Sequence, residues 1–589
     1  MKLDLKVQGM TCLDCARRIE TALRRVDGVD GAHVDYRAGL ATVELERDVP
    51  ERDLLAAVEH AGYHAEVATA GGNGGSSITE AALRKPSTNA DGAAARDVPQ
   101  RAPTVHETPV EQDGDGRADF DLLVVGTGGA GVAAAIQAAG MGAKVGIVES
   151  GTLGGTCVNV GCIPSKNLIE AAAHYHTARN PFPGIAPCEP ALDWRAVIGQ
   201  KNELVTELRQ AKYADVLASY PGVALLTGRA TLLGGGRVRV GDAEHRARKV
   251  VIATGTSPAI PPIPGLAQAQ PLDSNTVMEL EELPKSMIVL GGSAVGLELG
   301  QTFARFGTKV IVVELMPRLL SNEDETISEA LRKYLAEEGI DVHTGMTTTR
   351  VERDGSDVVV HVTHGALTGQ LRAEQLLVAT GRRPNTRDMG LQDAGVALTE
   401  KGFVRVDATM RTTNPDVYAA GDVTGGPGYV YVAAAGGRVA AENALKSLSP
   451  TGTPSDEPRE LDLSAVPNVT FTSPQVASVG LTESRAREAG LHVDVSVLEM
   501  KHVPRALVSR DLRGLVKIVA ETGSGKLLGV HAVAPNAGEL MGEATLAVRF
   551  GLTARDITGT LHPYLTWGES FKLAAQGFTS DVTKLSCCA

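Results

Sequence analysis

Cysteine pairs are the residues of this sequence whose type and spacing most directly suggest chemistry. Six of the seven cysteines fall into three close pairs: Cys12 and Cys15, Cys157 and Cys162, and Cys587 and Cys588. Paired thiols can form a disulfide, exchange electrons or bind a soft metal ion. We expect the unpaired Cys188 to be incidental. The spacing therefore predicts redox or soft-metal chemistry at three places along the chain.

Length, composition and charge narrow the class of protein. A chain of 589 residues is too long for one hydrophobic core, so we expect three or more domains. The net charge is −13 and no basic stripe is present, which argues against a nucleic-acid partner. The segment Met1–Met10 lacks the apolar core of a signal peptide, and no apolar run is long enough to span a membrane. We therefore expect a cytoplasmic protein with reduced thiols.

The first module, residues 1–68, has a βαββαβ pattern, which predicts a ferredoxin-like domain. The predicted elements are a strand Lys2–Val7, a helix over 16–25, strands Ala32–Tyr36 and Ala41–Glu46, a helix Glu51–Ala61 and a strand His64–Ala68. Cys12 and Cys15 precede the first helix, where the helix dipole stabilises a thiolate. A thioredoxin-like redox role is the alternative, but the surrounding pattern favours metal binding.

The rest of the chain divides by composition and periodicity. Residues 69–118 are rich in Gly, Ser, Ala, Pro and charged residues, which predicts a flexible linker. After Asp119 the chain alternates strands and helices twice over, which is typical of nested Rossmann-like α/β domains. From Leu463 onward the pattern predicts a separate α+β domain.

A dinucleotide-binding fingerprint begins the first α/β repeat. A strand, Asp121–Val125, leads to Gly126, Gly128 and Gly131, and the following strand ends at Glu149. These glycines permit a tight turn and a close approach to a pyrophosphate at a helix N-terminus, and the glutamate can accept hydrogen bonds from a ribose 2′-OH.

A second fingerprint repeats this spacing with one change. Gly291 and Gly296 flank Ser293, which replaces the middle glycine, and the next strand ends at Glu314. A carboxylate there favours the 2′-OH of NADH, whereas an inward-turned Arg318 would offset its charge, so NADH and NADPH both stay open.

The stretch between the fingerprints carries a family resemblance. Residues Gly154–Lys166, which include Cys157 and Cys162, resemble the redox-active disulfide segment of the pyridine nucleotide–disulfide oxidoreductases. The motifs Ala253–Gly255, Ala379–Asn385 and Val417–Asp422 are similar to others in that family. The resemblance implies FAD on the first fingerprint and NADPH or NADH on the second.

That resemblance also implies roles for individual residues. The FAD-binding positions are Gly126, Gly128, Gly131, Glu149, Gly155, Thr156, Lys166, Thr254, Gly255 and Asp422. The NAD(P)-binding positions are Gly291, Gly296, Glu314 and Gly381. Cys162 is expected to face the flavin, Cys157 to carry out thiol exchange, and Lys166 to lie beside the isoalloxazine ring.

The two ends of the chain resemble one branch of the family, the mercuric reductases. The segment Gly9–Cys15 is similar to their heavy-metal-associated motif, and Lys584–Ala589 to their cysteine-containing C-terminus. Tyr213 and Tyr564 match two tyrosines that line the metal site of those enzymes. By this resemblance Hg(II) is the substrate, captured by the N-terminal cysteine pair and delivered by the C-terminal pair.

The sequence departs from the members of the family that reduce organic disulfides. Those enzymes use the motif His-Pro-Thr-x-x-Glu, in which the histidine is the acid/base. Here His562 and Pro563 are followed by Tyr564 in place of the threonine. Trp567 stands at the glutamate position, and Glu569 lies two residues later. The incomplete dyad disfavours reduction of lipoamide or glutathione disulfide. A metal chaperone with a vestigial core is a further alternative.

The same resemblance implies the arrangement of domains and subunits. The predicted domains are a heavy-metal-associated domain (1–68), a flexible linker (69–118), the first part of an FAD-binding domain (119–263), an NAD(P)-binding domain (264–390), the second part of the FAD-binding domain (391–462) and an α+β dimerisation domain with the C-terminal tail (463–589). A homodimer is implied, with Tyr564, His562, Cys587 and Cys588 completing the partner's active site.

Overall fold

The computed structural model of the protein describes residues 2–8, 19–20, 22–24, 26, 28–35, 39–47, 49–60, 63–67, 118–448 and 457–584. The chain divides into two compact units, Met1–Pro99 and Gln100–Ala589. Within the described ranges, every helix is too short or too polar to span a bilayer.

The first unit contains one antiparallel four-stranded sheet in the order β2-β3-β1-β4. Its elements are β1 (Lys2–Gln8), β2 (Val29–Asp35), β3 (Leu40–Leu45), α1 (Glu51–His60) and β4 (His64–Val67). Alternate strand residues such as Leu5 and Val43 are buried, together with Leu54 and Val58 of α1, four positions apart on one helix face. The predicted ferredoxin-like pattern is therefore confirmed in the described residues, although β2 begins three residues earlier than predicted.

The second unit contains twenty-one strands among its described residues. They are β5 (Phe120–Val125), β6 (Val145–Glu149), β7 (Val223–Thr227), β8 (Ala230–Gly234), β9 (Arg237–Val240), β10 (Ala243–Ile252), β11 (Thr256–Pro258), β12 (Ser286–Leu290), β13 (Lys309–Val313), β14 (Asp341–His343), β15 (Thr347–Asp354), β16 (Asp357–His364), β17 (Leu367–Ala373), β18 (Gln375–Val378), β19 (Arg382–Pro384), β20 (Val417–Ala419), β21 (Asn468–Thr470), β22 (Gln475–Gly480), β23 (Val493–Glu499), β24 (Leu515–Glu521) and β25 (Leu527–Ala534).

Helices cover these strands. The α-helices are α2 (Gly129–Gly140), α3 (Gly155–Val160), α4 (Cys162–Arg179), α5 (Trp194–Arg209), α6 (Asp215–Ala218), α7 (Ala294–Arg305), α8 (Glu325–Glu337), α9 (Val430–Lys446), α10 (Glu483–Glu488), α11 (Pro504–Ser509), α12 (Ala537–Arg549), α13 (Ala554–Gly559) and α14 (Glu569–Gln576). A π-helical turn, Gln210–Ala214, joins α5 to α6. Short 3₁₀ turns lie at Thr276–Glu279, Asp422–Thr424, Met500–His502 and Val582–Lys584.

Two nucleotide folds are nested in this unit. The first sheet has the order β7-β6-β5-β10-β9-β8, with β20 paired to β10, and its strands β5, β6, β7 and β20 run parallel to their neighbours. The second fold, a parallel sheet β14-β13-β12-β18 beside an antiparallel sheet β15-β16-β17, is inserted between β10 and β20 of the first. Helices α4 and α7 meet where Leu168 and Ala172 share one apolar core with Leu297 and Phe303. This contact brings the cysteine-bearing segment against the second nucleotide fold.

An antiparallel five-stranded sheet, β21-β22-β25-β24-β23, forms the C-terminal part of the unit. Its core includes Val516, Ile518 and Phe571. Large apolar side chains stay on its surface, among them Phe550 (69 % exposed) and Leu561 (95 % exposed). Exposed apolar side chains mark a protein–protein interface where they form a contiguous patch.

Candidate functional site

A cavity of about 850 Å³ lies at the carboxyl end of the first parallel sheet. Its lining includes the predicted residues Gly126, Gly128, Glu149, Gly155, Thr156, Cys157, Cys162, Thr254, Gly255 and Asp422. Ligands of open α/β sheets bind at this edge. The cavity lining includes residues of both the glycine-rich loop and the cysteine pair, as an FAD-binding site requires.

The backbone of the glycine-rich loop approaches its neighbours too closely for side chains. Gly126 has a φ of +111°, and a Cβ there would overlap the carbonyl oxygen of Ala253. A Cβ on Gly131 would overlap the carbonyl oxygen of Gly126, so Gly131 supports the loop from outside the cavity lining. The space kept open over the N-terminus of α2 fits a pyrophosphate.

Glu149 is held at the end of β6 by hydrogen bonds to its carboxylate. Gly151 N donates to Oε1 at 2.8 Å, and the Thr127 hydroxyl donates to Oε2. Thr127 Oγ1 in turn accepts a hydrogen bond from Gly154 N at 3.0 Å. The acid is therefore fixed beside the loop, where it can accept a hydrogen bond from a ribose hydroxyl.

Asp422 also lines the cavity and belongs to a polar network. Thr256 Oγ1 donates to Asp422 Oδ2 at 3.1 Å, and Arg382 Nε donates to Thr256 Oγ1 at 2.7 Å. Burial lowers the pKa of Arg382, while the charges of Asp422 and Cys162 act in the opposite direction. Arg382 is thus a site residue to which the sequence assigned no role, although it lies in the motif Ala379–Asn385.

The cysteine pair consists of two free thiols, one on α3 and one on the first turn of α4. A hydrogen bond from Cys157 lowers the pKa of Cys162 to about 6; burial opposes this effect, and the charge of Lys166 reinforces it. The same hydrogen bond, followed by burial, raises the pKa of Cys157. Near neutral pH the pair is therefore a thiolate at Cys162 and a thiol at Cys157.

Lys166 lies outside the cavity lining and is held by an ion pair. Its Nζ is 2.7 Å from Oε2 of Glu298, which is buried on α7, and 4.7 Å from the centre of the Phe471 ring. Phe471 N donates to Glu298 Oε1 at 2.8 Å. The first nucleotide fold, the second nucleotide fold and the C-terminal part of the unit therefore meet at this lysine.

Tyr213 reaches the cysteine pair from the π-helical turn Gln210–Ala214. Its Cδ2 would lie 3.4 Å from a Cβ placed on Gly154. Burial raises the pKa of Tyr213, and negative charge at Cys157 and Cys162 adds to this effect. The wider helical turn, a feature frequent at functional sites, thus places the tyrosine near the thiols.

His562 has a carboxylate partner, Glu543, although the dyad motif in the sequence is incomplete. His562 Nε2 lies 2.7 Å from Glu543 Oε1, and Nδ1 lies 3.0 Å from the carbonyl oxygen of Thr560. Glu569 instead accepts a hydrogen bond from Leu565 N at 3.2 Å. Both ring nitrogens are engaged within the chain and the side chain is only 5 % exposed, so this segment is anchored to α12.

The predicted residues of the second nucleotide site also converge. Gly291 has a φ of +112°, and a Cβ there would be 2.5 Å from the Ala379 carbonyl oxygen. A Cβ on Gly296 would overlap the Gly291 carbonyl oxygen. Gly381 has a φ of +138°, and Glu314 is buried just after β13. This loop therefore repeats the glycine requirement of the first one.

The structure describes only some of the remaining cysteines and tyrosines. Cys12, Cys15, Cys587 and Cys588 lie outside the described residues. Tyr564 is described and is 47 % exposed on the C-terminal segment. Cys188 is an exposed free thiol.

Three family models match the chain. Residues 120–437 match the pyridine nucleotide-disulphide oxidoreductase family, and residues 466–575 match the dimerisation domain of that family. Residues 4–64 match the heavy-metal-associated domain.

Characterised relatives match over most of their length. The chain is 41 % identical to a mercuric reductase of Bacillus cereus over 589 residues, covering 100 % of this chain and 87 % of the relative. It is 48 % identical to the mercuric reductase of Streptomyces lividans over 477 residues, covering 80 % and 98 %. A mercuric reductase of Shigella flexneri is 42 % identical, with 99 % of each chain covered.

Among solved structures, the HOCl-induced flavoprotein disulfide reductase RclA from Escherichia coli is similar. It superposes with a TM-score of 0.69 at 29 % identity, covering 78 % of this chain and 99 % of RclA. The Cu(II) complex of RclA gives a TM-score of 0.69 at 30 % identity, again covering 78 % and 99 %.

Proposed function

Because this chain belongs to the pyridine nucleotide-disulphide oxidoreductase family, and within it to the mercuric reductases, we propose that it reduces Hg(II) to elemental mercury with NADPH or NADH. The overall reaction is Hg(II) + NAD(P)H → Hg(0) + NAD(P)⁺ + H⁺, in which the nicotinamide gives up a hydride and the metal gains two electrons. The proposed role is mercury detoxification in the cytoplasm, where thiols stay reduced.

The observation that carries this proposal is the thiol pair at one end of the cavity. Cys157 and Cys162 both line it, and their shared hydrogen bond leaves one thiolate and one thiol. Thiolates select soft ions, and Hg(II) is satisfied by two nearly collinear sulfur ligands. Binding of Hg(II) by both sulfurs would release the remaining Cys157 proton.

FAD fits the cavity, and the residues around Gly126, Glu149 and Asp422 would hold it. When bound, it would supply the transfer of two electrons from the nicotinamide to Cys157 and Cys162. Lys166 stabilises the Cys162 thiolate by its positive charge. Tyr213 lies near the pair, and its proposed role is to limit the access of water to the two sulfurs.

The C-terminal Cys587 and Cys588 are proposed to collect Hg(II) from small thiols and to transfer it to Cys157 and Cys162. Each transfer exchanges one Hg–S bond for another, so the metal is not trapped at an intermediate site. The N-terminal Cys12 and Cys15, which are far from Cys157 and Cys162 in the sequence, are proposed to capture Hg(II). A linked capture domain would raise the local concentration of bound metal near the second unit.

We also propose that the active site is shared between two subunits of a homodimer. The dimerisation-domain match supports a dimer, and the exposed Phe550 and Leu561 supply apolar surface that such an interface would bury. In this arrangement Tyr564 and His562 lie on the segment that approaches the partner's cysteine pair.

Reduction of an organic disulfide is the second candidate, because His562 is retained and has a carboxylate partner in Glu543. That reaction needs a proton delivered to a leaving thiolate. Both ring nitrogens of His562 are already hydrogen-bonded within the chain, to Glu543 and Thr560, which disfavours proton delivery to a substrate.

Variants of the cysteine pair test the proposal. Cys157→Ala and Cys162→Ala should each abolish Hg(II)-dependent NAD(P)H oxidation while the protein still binds flavin. Cys188→Ala is the matched control, since that thiol is exposed and apart from the pair, and it should retain wild-type turnover. Full turnover in either variant of the pair would refute its proposed role.

A further inference from the structure

The two nucleotide loops of the protein can be compared with each other to infer which ribose the second loop recognises. The first loop, which is proposed to bind FAD, must accept an adenosine ribose that carries a free 2′-OH. Its acid, Glu149, accepts hydrogen bonds from Gly151 N, two residues later, and from Thr127, the residue after the first glycine of the loop. This arrangement defines a 2′-OH site in this protein.

The second loop repeats that arrangement around Glu314. Gly292 N, from the residue after the first glycine, donates to Glu314 Oε2 at 2.5 Å, and Met316 N, two residues after the acid, donates to Oε1 at 2.7 Å. The bonds from Thr127 to Glu149 and from Gly292 to Glu314 each span 22 residues. The two acids therefore hold equivalent positions in their folds.

The Glu314 carboxylate is fixed and has little contact with solvent. The residue is only 9 % exposed, and a Cβ on Gly292 would lie 3.1 Å from its Oε2. A carboxylate so close to the loop favours the hydroxyl of an unphosphorylated ribose as a hydrogen-bond donor. A 2′-phosphate would add roughly two negative charges beside this carboxylate. Little water is present there to screen the repulsion between the phosphate and the carboxylate.

Arg318, the cation that would compensate such a phosphate, is directed elsewhere. Its Nη2 donates to the Ser321 carbonyl oxygen at 3.3 Å, and its Nη1 lies 3.9 Å from Glu325 Oε2. The arginine is therefore turned toward the start of α8. The sequence left the choice of nicotinamide open because this orientation is not encoded in the spacing.

We infer that the second nucleotide site selects NADH over NADPH, and that Glu314 is the residue that determines this specificity. The inference rests on the proposed function only for the identity of the site as the nicotinamide site. Glu314 excludes the phosphorylated ribose by its charge and recognises the free hydroxyl as an acceptor.

The test compares cofactor binding and flavin reduction in the flavin-loaded protein without mercury. The binding of NAD⁺ and NADP⁺ is measured by titration calorimetry, and the rates of flavin reduction by NADH and NADPH are measured anaerobically by stopped flow. The wild-type protein should favour the unphosphorylated cofactor in both readouts. A wild-type preference for NADPH would overturn the inference without any variant.

The isosteric variant Glu314→Gln removes the charge and keeps the shape. We expect it to lower the ratio of NADH to NADPH efficiency by about 10- to 100-fold, the range for a hydrogen bond to a charged group. Glu325→Gln, the same change at an exposed position beside Arg318, should leave the ratio unchanged. An unchanged ratio in Glu314→Gln would also overturn the inference.

Failure of the proposed function would look different from failure of this inference. NADH-selective flavin reduction without Hg(II)-dependent turnover would refute mercury reduction and support the assignment of Glu314. Hg(II)-dependent turnover with a preference for NADPH would do the reverse.

Discussion

Lys166 Nζ lies 2.7 Å from Glu298 Oε2, and this ion pair joins the cysteine-bearing helix α4 to helix α7 of the second nucleotide fold. The two residues act on Cys162 in opposite directions, because the lysine lowers the pKa of the thiol and the glutamate raises it. The hydrogen bond from Cys157 is the main cause of the low pKa of Cys162, and the charges of these two residues, one from each fold, adjust it in opposite directions.

The first prediction concerns the ionisation of Cys162. The pKa of this thiol is lowered to about 6, so its thiolate is populated above that pH and is lost as the pH falls below it. The rate of Cys162 alkylation by iodoacetamide, followed by peptide mass spectrometry, should reach half its maximum near pH 6. A midpoint above pH 8, as for an ordinary thiol, would contradict the assignment.

The second prediction uses the two partners of the ion pair. Lys166→Met should move the alkylation midpoint of Cys162 upward by about one pH unit, because a nearby positive charge is lost. Glu298→Gln should move it downward, because the opposing negative charge is lost. Shifts in the same direction in both variants would show that general disruption of the site, rather than charge, determines the ionisation.

A third prediction concerns the anchoring of the C-terminal segment. Glu543→Gln and His562→Asn should each slow Hg(II) turnover several-fold, since both remove the 2.7 Å contact that holds the segment carrying Tyr564. The double variant should be no slower than the worse single one, because one shared contact is lost. Flavin reduction by NADH should stay unchanged in all three.

The control for that cycle is Glu539→Gln, an exposed position at the start of the same helix. It should retain wild-type turnover. Additive losses in the Glu543 and His562 variants would mean that the two side chains act independently.

A fourth prediction concerns the terminal cysteines. Replacement of Cys587 and Cys588 by alanine should slow turnover of thiol-bound Hg(II) by about two orders of magnitude, since a tethered ligand pair gains a high effective concentration. Flavin reduction should remain intact. Unchanged turnover with a glutathione complex of Hg(II) as substrate would contradict the proposed role of Cys587 and Cys588 in Hg(II) delivery.

A fifth prediction separates a reductase from a metal chaperone. A chain without residues 1–68 should keep its maximal turnover within about twofold, because the first unit is compact by itself and the cavity lies wholly in the second. Turnover is measured at saturating Hg(II) with excess thiol. Loss of all activity would favour the chaperone alternative.

Local patterns made much of the site predictable from the sequence. Gly131 is needed for a close backbone contact with Gly126 in the same loop, and Glu149 follows at a spacing set by one βαβ unit. The same logic located Glu314. Such residues are predictable because strand, loop and helix lengths fix their relative positions.

Contacts between distant segments could not be predicted in this way. Glu298 meets Lys166 across 132 residues, and Glu543 meets His562 through the packing of separate elements rather than through a local motif. The π-helical turn at Tyr213 is likewise a feature that sequence periodicity does not reveal. The fold class was confirmed, whereas these pairings required the structure.

The most direct test of the central claim is the stoichiometry of mercury release. Purified flavin-loaded protein is given NADH, and separately NADPH, with Hg(II) and excess small thiol, while mercury vapour is trapped and quantified. The account predicts one elemental mercury for each nicotinamide oxidised, since both processes transfer two electrons. Nicotinamide oxidation that requires lipoamide or glutathione disulfide and releases no vapour would contradict it, and would place the chain with the organic disulfide reductases.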